Sequence, residues 1–141
     1  MVPGRYYVGD LCYVMSERWI EVCSLYDDND YENGEYTLLD ATQIAMYDTK
    51  YGDGTYKDQY NSKYSVDSGT IGCILVSSLA NESLTGLKLG NIVEFPSEFS
   101  TSSNGGIIYI GHIVINTDEE YDDYEDYEDD EYENEDIQYL A

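Results

Sequence analysis

The sequence predicts an α+β domain: a mainly antiparallel twisted sheet, or a small barrel, carrying one short helix. Three observations lead there. Short runs of β-branched and aromatic residues recur between Gly-, Asn- and Asp-containing turn signals. One segment, residues 16–25, spaces its apolar residues as a helix does. The chain up to residue 117 is also long enough to bury one core of ordinary size, so residues 1–117 are expected to form a single globular domain.

Residues 5–15 (RYYVGDLCYVM) are rich in strand formers and broken only by Gly9-Asp10, which predicts strand, turn and strand. Ser16 is the expected N-cap of the helix, where Trp19, Val22, Cys23 and Tyr26 fall at i, i+3, i+4 and i+7 and make one apolar stripe. Residues 27–34 (DDNDYENG) read as a polar loop ending in Asn33-Gly34, a pair that favours positive φ. Residues 35–47 (EYTLLDATQIAMY) are expected as one strand on their Thr, Tyr and Ile content. Within residues 51–56 (YGDGTY), Asp53-Gly54 signals a tight hairpin. Long strands are expected over residues 63–78 and 105–116, the latter (GGIIYIGHIVIN) apolar on both faces and so central. Residues 91–95 form a shorter strand stopped by Pro96. A loop or one helical turn over residues 79–90 and a loop over residues 96–104 complete the domain.

Charge patterning separates the last segment from this domain. The chain has 30 acids against six bases, a formal net charge of −24, and residues 118–141 hold 14 of those acids, five Tyr and no Lys or Arg. Carboxylates at such density repel one another, among them the i, i+4 pairs Asp118/Asp122, Asp122/Asp126 and Glu125/Asp129. Residues 118–141 are therefore expected to be an acidic, tyrosine-rich tail, disordered until bound. Nucleic acid and anionic membranes are polyanions that bind through Lys and Arg, so direct binding to either is not expected. The expected partner is a basic protein. No apolar run approaches the roughly 20 residues of a membrane span, and a soluble, cytoplasmic protein is expected. Cys12, Cys23 and Cys73, odd in number and widely spaced, are expected as reduced core thiols rather than zinc ligands or a disulfide framework.

Within the domain, Asp10, Asp53 and Asp67 each sit at a glycine-marked turn. Brought together they would suit a divalent cation or an acid–base pair; apart, they are turn residues whose carboxylates cap backbone N–H groups. The second reading is preferred, and neither metal nor cofactor is expected. Asp28, Asp30 and Glu32 place Gly34 one position late for a calcium loop, with no Glu following in register, so residues 27–34 read as a solvated loop. His112 alternates with Ile110 and Val114 and is expected as a hydrogen-bonded core residue. No nucleophile elbow or phosphate-binding glycine loop is present, so an enzyme is not expected.

The tail matches a nucleic-acid backbone in charge spacing. Duplex DNA carries one charge per about 1.7 Å of axis and a single strand one per about 3.4 Å. Residues 118–136 would place a charge about every 2 Å as a helix and about every 4.5 Å when extended. The carboxylates of Asp118, Glu119, Glu120, Asp122, Asp123, Glu125, Asp126, Glu128, Asp129, Asp130, Glu131 and Glu133 are expected to stand in for phosphates. Tyr121, Tyr124, Tyr127 and Tyr132 would stack on Arg guanidinium planes or occupy base platforms. Asp27, Asp28, Asp30, Glu32 and Glu35 offer a secondary acidic surface.

Gly9-Asp10-Leu11-Cys12-Tyr13-Val14, then Tyr51-Gly52-Asp53-Gly54-Thr55-Tyr56, then Tyr64-Ser65-Val66-Asp67-Ser68-Gly69-Thr70-Ile71-Gly72 together resemble a group of small phage and bacterial proteins with GD-x-CY, YGDGTY and VD-[AS]-G motifs in that order. The resemblance spans about residues 4–77 and implies a viral or bacterial setting, with the host cytoplasm as compartment if phage-encoded. It implies no chemistry. The function expected from charge and setting is a phage-type inhibitor that mimics nucleic acid in the basic groove of a host defence nuclease, a restriction enzyme or CRISPR effector. The alternatives are a virion structural or assembly protein docking its tail on a basic surface, and a metal-dependent hydrolase using Asp10, Asp53 and Asp67.

Overall fold

The recurring β-branched and aromatic runs fold into two five-stranded sheets in which every strand pair is antiparallel. The computed structural model describes residues 1–118. In chain order these form β1 (Gly4–Gly9), α1 (Trp19–Asp28), β2 (Gly34–Thr37), β3 (Gln43–Asp48), β4 (Gly54–Asp58) and β5 (Lys63–Val66). They continue with β6 (Thr70–Leu75), β7 (Asn91–Phe95), β8 (Thr101–Asn104), β9 (Ile107–Ile110) and β10 (Ile113–Asn116). The first sheet runs β2-β3-β6-β1-β7 and the second β5-β4-β10-β9-β8. Among the described residues no helix is long and apolar enough to cross a membrane.

Side-chain alternation sets the layers. Tyr6, Val8, Ala45, Tyr47, Ile71 and Cys73 of the first sheet meet Tyr56, Tyr64, Ile108, Ile110, Ile113 and Ile115 of the second in one core. Their strand neighbours Tyr7, Ile44, Met46 and Ile74 point the other way and are covered by Val22 and Tyr26 of α1 together with Leu11, Val14 and Leu38. The inner strands of the first sheet are thus buried on both faces, whereas β9 and β10 alternate buried and half-exposed residues. Each fully buried aliphatic or aromatic side chain contributes about 1.5–3 kcal/mol.

Four core tyrosines bring polar tips inside, and each tip finds an acceptor. The hydroxyls of Tyr6, Tyr56 and Tyr64 donate to the Val2 carbonyl at 2.8 Å, the Gly52 carbonyl at 2.9 Å and Asp58 Oδ2 at 2.6 Å. The Tyr47 hydroxyl lies 2.7 Å from Thr101 Oγ1. Tyrosine therefore serves as a strand former whose ring fills the core and whose hydroxyl pins a loop or the opposing sheet.

The mainly antiparallel architecture with one short helix is as the sequence predicts. A closed barrel is not formed. The edges β2 and β8 are joined by side chains instead of a ladder, with Thr101 Oγ1 donating to Glu35 Oε2 at 2.7 Å. The edges β7 and β5 are joined by Asn91 Nδ2 donating to the Lys63 carbonyl at 2.9 Å.

Several expected elements divide. The strand expected over residues 63–78 becomes β5 and β6, because the chain leaves the second sheet for the first at Asp67–Gly69, with Gly69 at φ 80°. That over residues 105–116 becomes the β9–β10 hairpin, Ile110 pairing Ile113 across Gly111-His112 with Gly111 at φ 56°. That over residues 35–47 becomes the β2–β3 hairpin. The expected loop over residues 96–104 contains edge strand β8, turned into β9 by Gly105 and Gly106, both at positive φ. Asp53-Gly54 lies on the passage from β3 to β4 rather than in a hairpin; the nearby hairpin is β4–β5, where Asp58 Oδ1 accepts from the Tyr60 and Ser62 amides at 2.8 and 3.0 Å. Leu11–Tyr13 is a turn of 3-10 helix and not a second strand. Ser16 opens another such turn, Ser16–Arg18, and gives α1 no side-chain cap. Asn91–Phe95 forms as expected, and Glu82–Leu87 is the short helical turn expected in residues 79–90.

Two tests follow from the packing. A Cβ on Gly72 would stand 1.8 Å from the Ala45 carbonyl oxygen, in a sheet whose both faces are buried; Gly72→Ala should destabilise the fold by about 3 kcal/mol or more in denaturant titration. Burial pushes the Tyr6 hydroxyl up from 10.0 to about 12, and likewise the Cys73 thiol from 9.0 to about 12. Both groups keep their protons in the folded protein while the unfolded chain loses them. Their contribution is complete below pH 9 and is lost as pH rises from 9 toward 12. The denaturation midpoint should fall steadily over that interval.

Candidate functional site

Asp10 follows the last residue of β1 and is completely buried. Its Oδ1 accepts from the Cys12 amide at 2.9 Å and the Ser68 hydroxyl at 2.8 Å. Its Oδ2 accepts from the Asp67 and Ser68 amides at 2.7 and 2.6 Å. One carboxylate therefore caps the 3-10 turn that follows it and clasps the crossing between the two sheets, 57 residues away. Ser68 Oγ lies a further 2.8 Å from Thr70 Oγ1, which extends the network to the start of β6.

The charges of the three motif aspartates all act on Cys12. Burial, then the hydrogen bond and charge of Asp10, then the charges of Asp67 and Asp53, drive the Cys12 thiol well above its ordinary range. Asp53 and Asp67 are exposed, while Asp10 has its oxygens filled by four donors from its own chain. Among the described residues no three His, Cys, Asp or Glu side chains are grouped to hold a metal ion. The preferred turn-capping reading describes Asp10; what the sequence does not reveal is that its turn is closed by a distant segment.

Beside this clasp lies an aromatic cleft of about 300 Å³. Trp19, Cys23 and Tyr26 of α1 line it with Tyr31, Met46, Ser68 and Thr70. The Tyr26 and Tyr31 rings meet edge to face, centroids 5.4 Å apart and planes at 86°. The Tyr26 hydroxyl donates to Asp48 Oδ1 at 2.8 Å, and burial together with this bond pushes the hydroxyl well above its ordinary range. Tyr31 is exposed, and the Asp27 carboxylate raises the pKa of its hydroxyl. Tyr31 stands at φ 59° just past the end of α1, and this left-handed turn folds its ring back onto Tyr26. The expected apolar stripe is thus only partly core: Val22 and Tyr26 are buried, Trp19 is half-buried and Cys23 is exposed.

The remaining expectations are distributed as follows. Asp27, Asp28, Asp30 and Glu32 are exposed at the end of α1 and after it, while Glu35, on β2, is drawn into the junction with β8. Asp118 makes an ion pair with Lys50 at 2.5 Å. The expected contacts from Glu119 to Glu133 lie outside the described residues. His112 is exposed in the β9–β10 turn and not in a core strand; its ring tilts against Phe95 at 5.2 Å and its carbonyl accepts from Gln59 Nε2 at 2.6 Å. All three cysteines are free, but only Cys73 is a core thiol; Cys12 is half-buried and Cys23 exposed. Comparison with known proteins brings no relative: no family model, curated protein or solved structure matches the chain.

Removing the clasp leaves three amide donors without their acceptor around a buried position. Asp10→Ala should therefore cost about 3 kcal/mol or more in denaturant titration, whereas Asp53→Asn and Asp67→Asn should each change stability by less than about 0.5 kcal/mol. Equal effects at all three positions would contradict the assignment.

Proposed function

We propose that this protein is a phage-type inhibitor that occupies the basic DNA- or RNA-binding groove of a host defence nuclease, a restriction enzyme or RNA-guided nuclease, as a nucleic-acid mimic. The observation that carries the reading is the charge: a net −24, with 14 carboxylates concentrated after Thr117. The distribution of cations supports it. Arg18 is engaged by Glu21 at 3.2 Å and Asp40 at 3.0 Å, and Lys50 by Asp118. Arg18 and Lys50 are thus held by carboxylates of the chain itself, in a field that the net charge keeps strongly negative.

In this reading the folded domain supplies shape, and the acidic segment supplies encounter rate and affinity through charge complementarity. Tyrosines interspersed with the carboxylates, Tyr121, Tyr124, Tyr127 and Tyr132, would meet the guanidinium or aromatic groups that normally hold bases. The viral setting rests on the motif resemblance. Because the oxygens of Asp10 are filled from within the chain and no three acidic or metal-ligating side chains are grouped among the described residues, the hydrolase alternative draws no support from the placement of the aspartates.

The test is a titration of the full chain against candidate restriction and RNA-guided nucleases, with duplex DNA or guide RNA as competitor, beside a chain ending at Thr117. Binding should weaken by about tenfold or more between low and physiological salt, be displaced by nucleic acid, and drop sharply on truncation. Tight binding that ignores both salt and competitor would refute the proposal. Recovery of the protein in purified virions, with no nuclease bound, would favour the assembly alternative.

A further inference from the structure

We propose that the aromatic cleft between α1 and the Asp67–Gly69 crossing binds a cationic side chain of a basic partner, an arginine in preference to a lysine. Trp19, Tyr26 and Tyr31 wall it, and the two tyrosine rings stand nearly perpendicular at 5.4 Å. Aromatic faces attract cations through their quadrupole. The Tyr26 hydroxyl donates to Asp48, which pushes electron density into that ring and strengthens the attraction, and the Asp27 carboxylate acts on the Tyr31 hydroxyl.

Electrostatics around the cleft points the same way. α1 walls it from Trp19 to Tyr26, and Tyr31 stands just past the C-terminal end of the helix, the negative end of its dipole. That end carries Asp27 and Asp28 and no basic residue in the last turn. None of the residues lining the cleft is Lys, Arg or His. An anionic ligand would find no cation in the lining and would face the Asp48 carboxylate behind the Tyr26 hydroxyl. A volume of about 300 Å³ is at the lower limit of small-ligand sites and has room for one long side chain. The preference for arginine follows from its planar, weakly hydrated guanidinium, which stacks on rings while its N–H groups reach carboxylates or the Ser68 hydroxyl at the wall.

This inference leans on the proposed function only for the identity of the partner, and the cleft is tested without one. Trp19 is the sole tryptophan, so its emission reports on the site. The full chain is titrated at constant ionic strength with N-acetyl-arginine amide, with N-acetyl-lysine amide and with the neutral isostere N-acetyl-citrulline amide. A saturable change in emission is expected for the arginine derivative. The lysine derivative should bind more weakly and the citrulline derivative at least about tenfold more weakly. Tyr31→Ala should reduce arginine binding several-fold with an unchanged unfolding midpoint, because Tyr31 is exposed; Tyr31→Phe, which keeps the ring, should recover most of it. Equal response to arginine and citrulline, no saturable response, or full response in Tyr31→Ala would each overturn the proposal. Saturable arginine binding, together with no binding to any nuclease in the separate titration, would leave this inference standing and remove the inhibitor reading.

Discussion

A fully buried carboxylate with no cation beside it is costly unless its oxygens are filled, and the Asp10 network meets that requirement with four donors from within the chain. The constraint is mutual. The carboxylate is tolerated only because the crossing brings two amides and a hydroxyl to it, and the crossing is held in one conformation because the carboxylate is there. The joint lies where β1 runs against β6, with Gly9 opposite Gly72, in the same sheet where the Ala45 carbonyl of β3 leaves no space for a Cβ at Gly72. Ser68, held twice by Asp10, is also part of the cleft wall. The same interaction therefore governs the fold and the shape of the candidate site.

The functional reading joins two scales of electrostatics. At long range, a chain of net −24 attracts a cationic surface without regard to shape, an effect that salt screens within about 10 Å at ordinary ionic strength. At short range, the corner formed by Trp19, Tyr26 and Tyr31 has defined dimensions and presents rings backed by Asp27 and Asp48. Steering from charge and selection from a shaped aromatic corner are separable contributions. The first acts mainly on the rate of encounter and the second on the lifetime of the complex.

Much of the architecture is legible in the sequence. Antiparallel pairing and the single helix follow from local pattern, and Asn91–Phe95 followed by Pro96 is found where composition places it. The misreadings share a cause: a continuous run of strand formers is ambiguous between one long strand and two short ones joined by a tight turn. Gly111-His112 and Asp67–Gly69 carry turn chemistry, yet both are embedded in apolar runs that mask it. The site was less visible. Asp10 reads correctly as a cap, but its second set of donors comes from 57 residues away, a distance that local pattern does not encode. The cleft combines residues of α1, β3 and the crossing, and its only local trace is a helical stripe with an exposed cysteine at its centre.

The most direct measurement of the clasp is native-state hydrogen exchange at the amides of Asp67 and Ser68. Both residues are exposed, and an ordinary surface turn would exchange these protons through small local openings. With both amides bonded to a buried carboxylate at 2.7 and 2.6 Å, they should exchange only as slowly as the amides of the inner strands β1 and β6. Exchange as fast as at the exposed turn residue Asp40 would show that the joint opens independently of the core, and the account would fail at its centre.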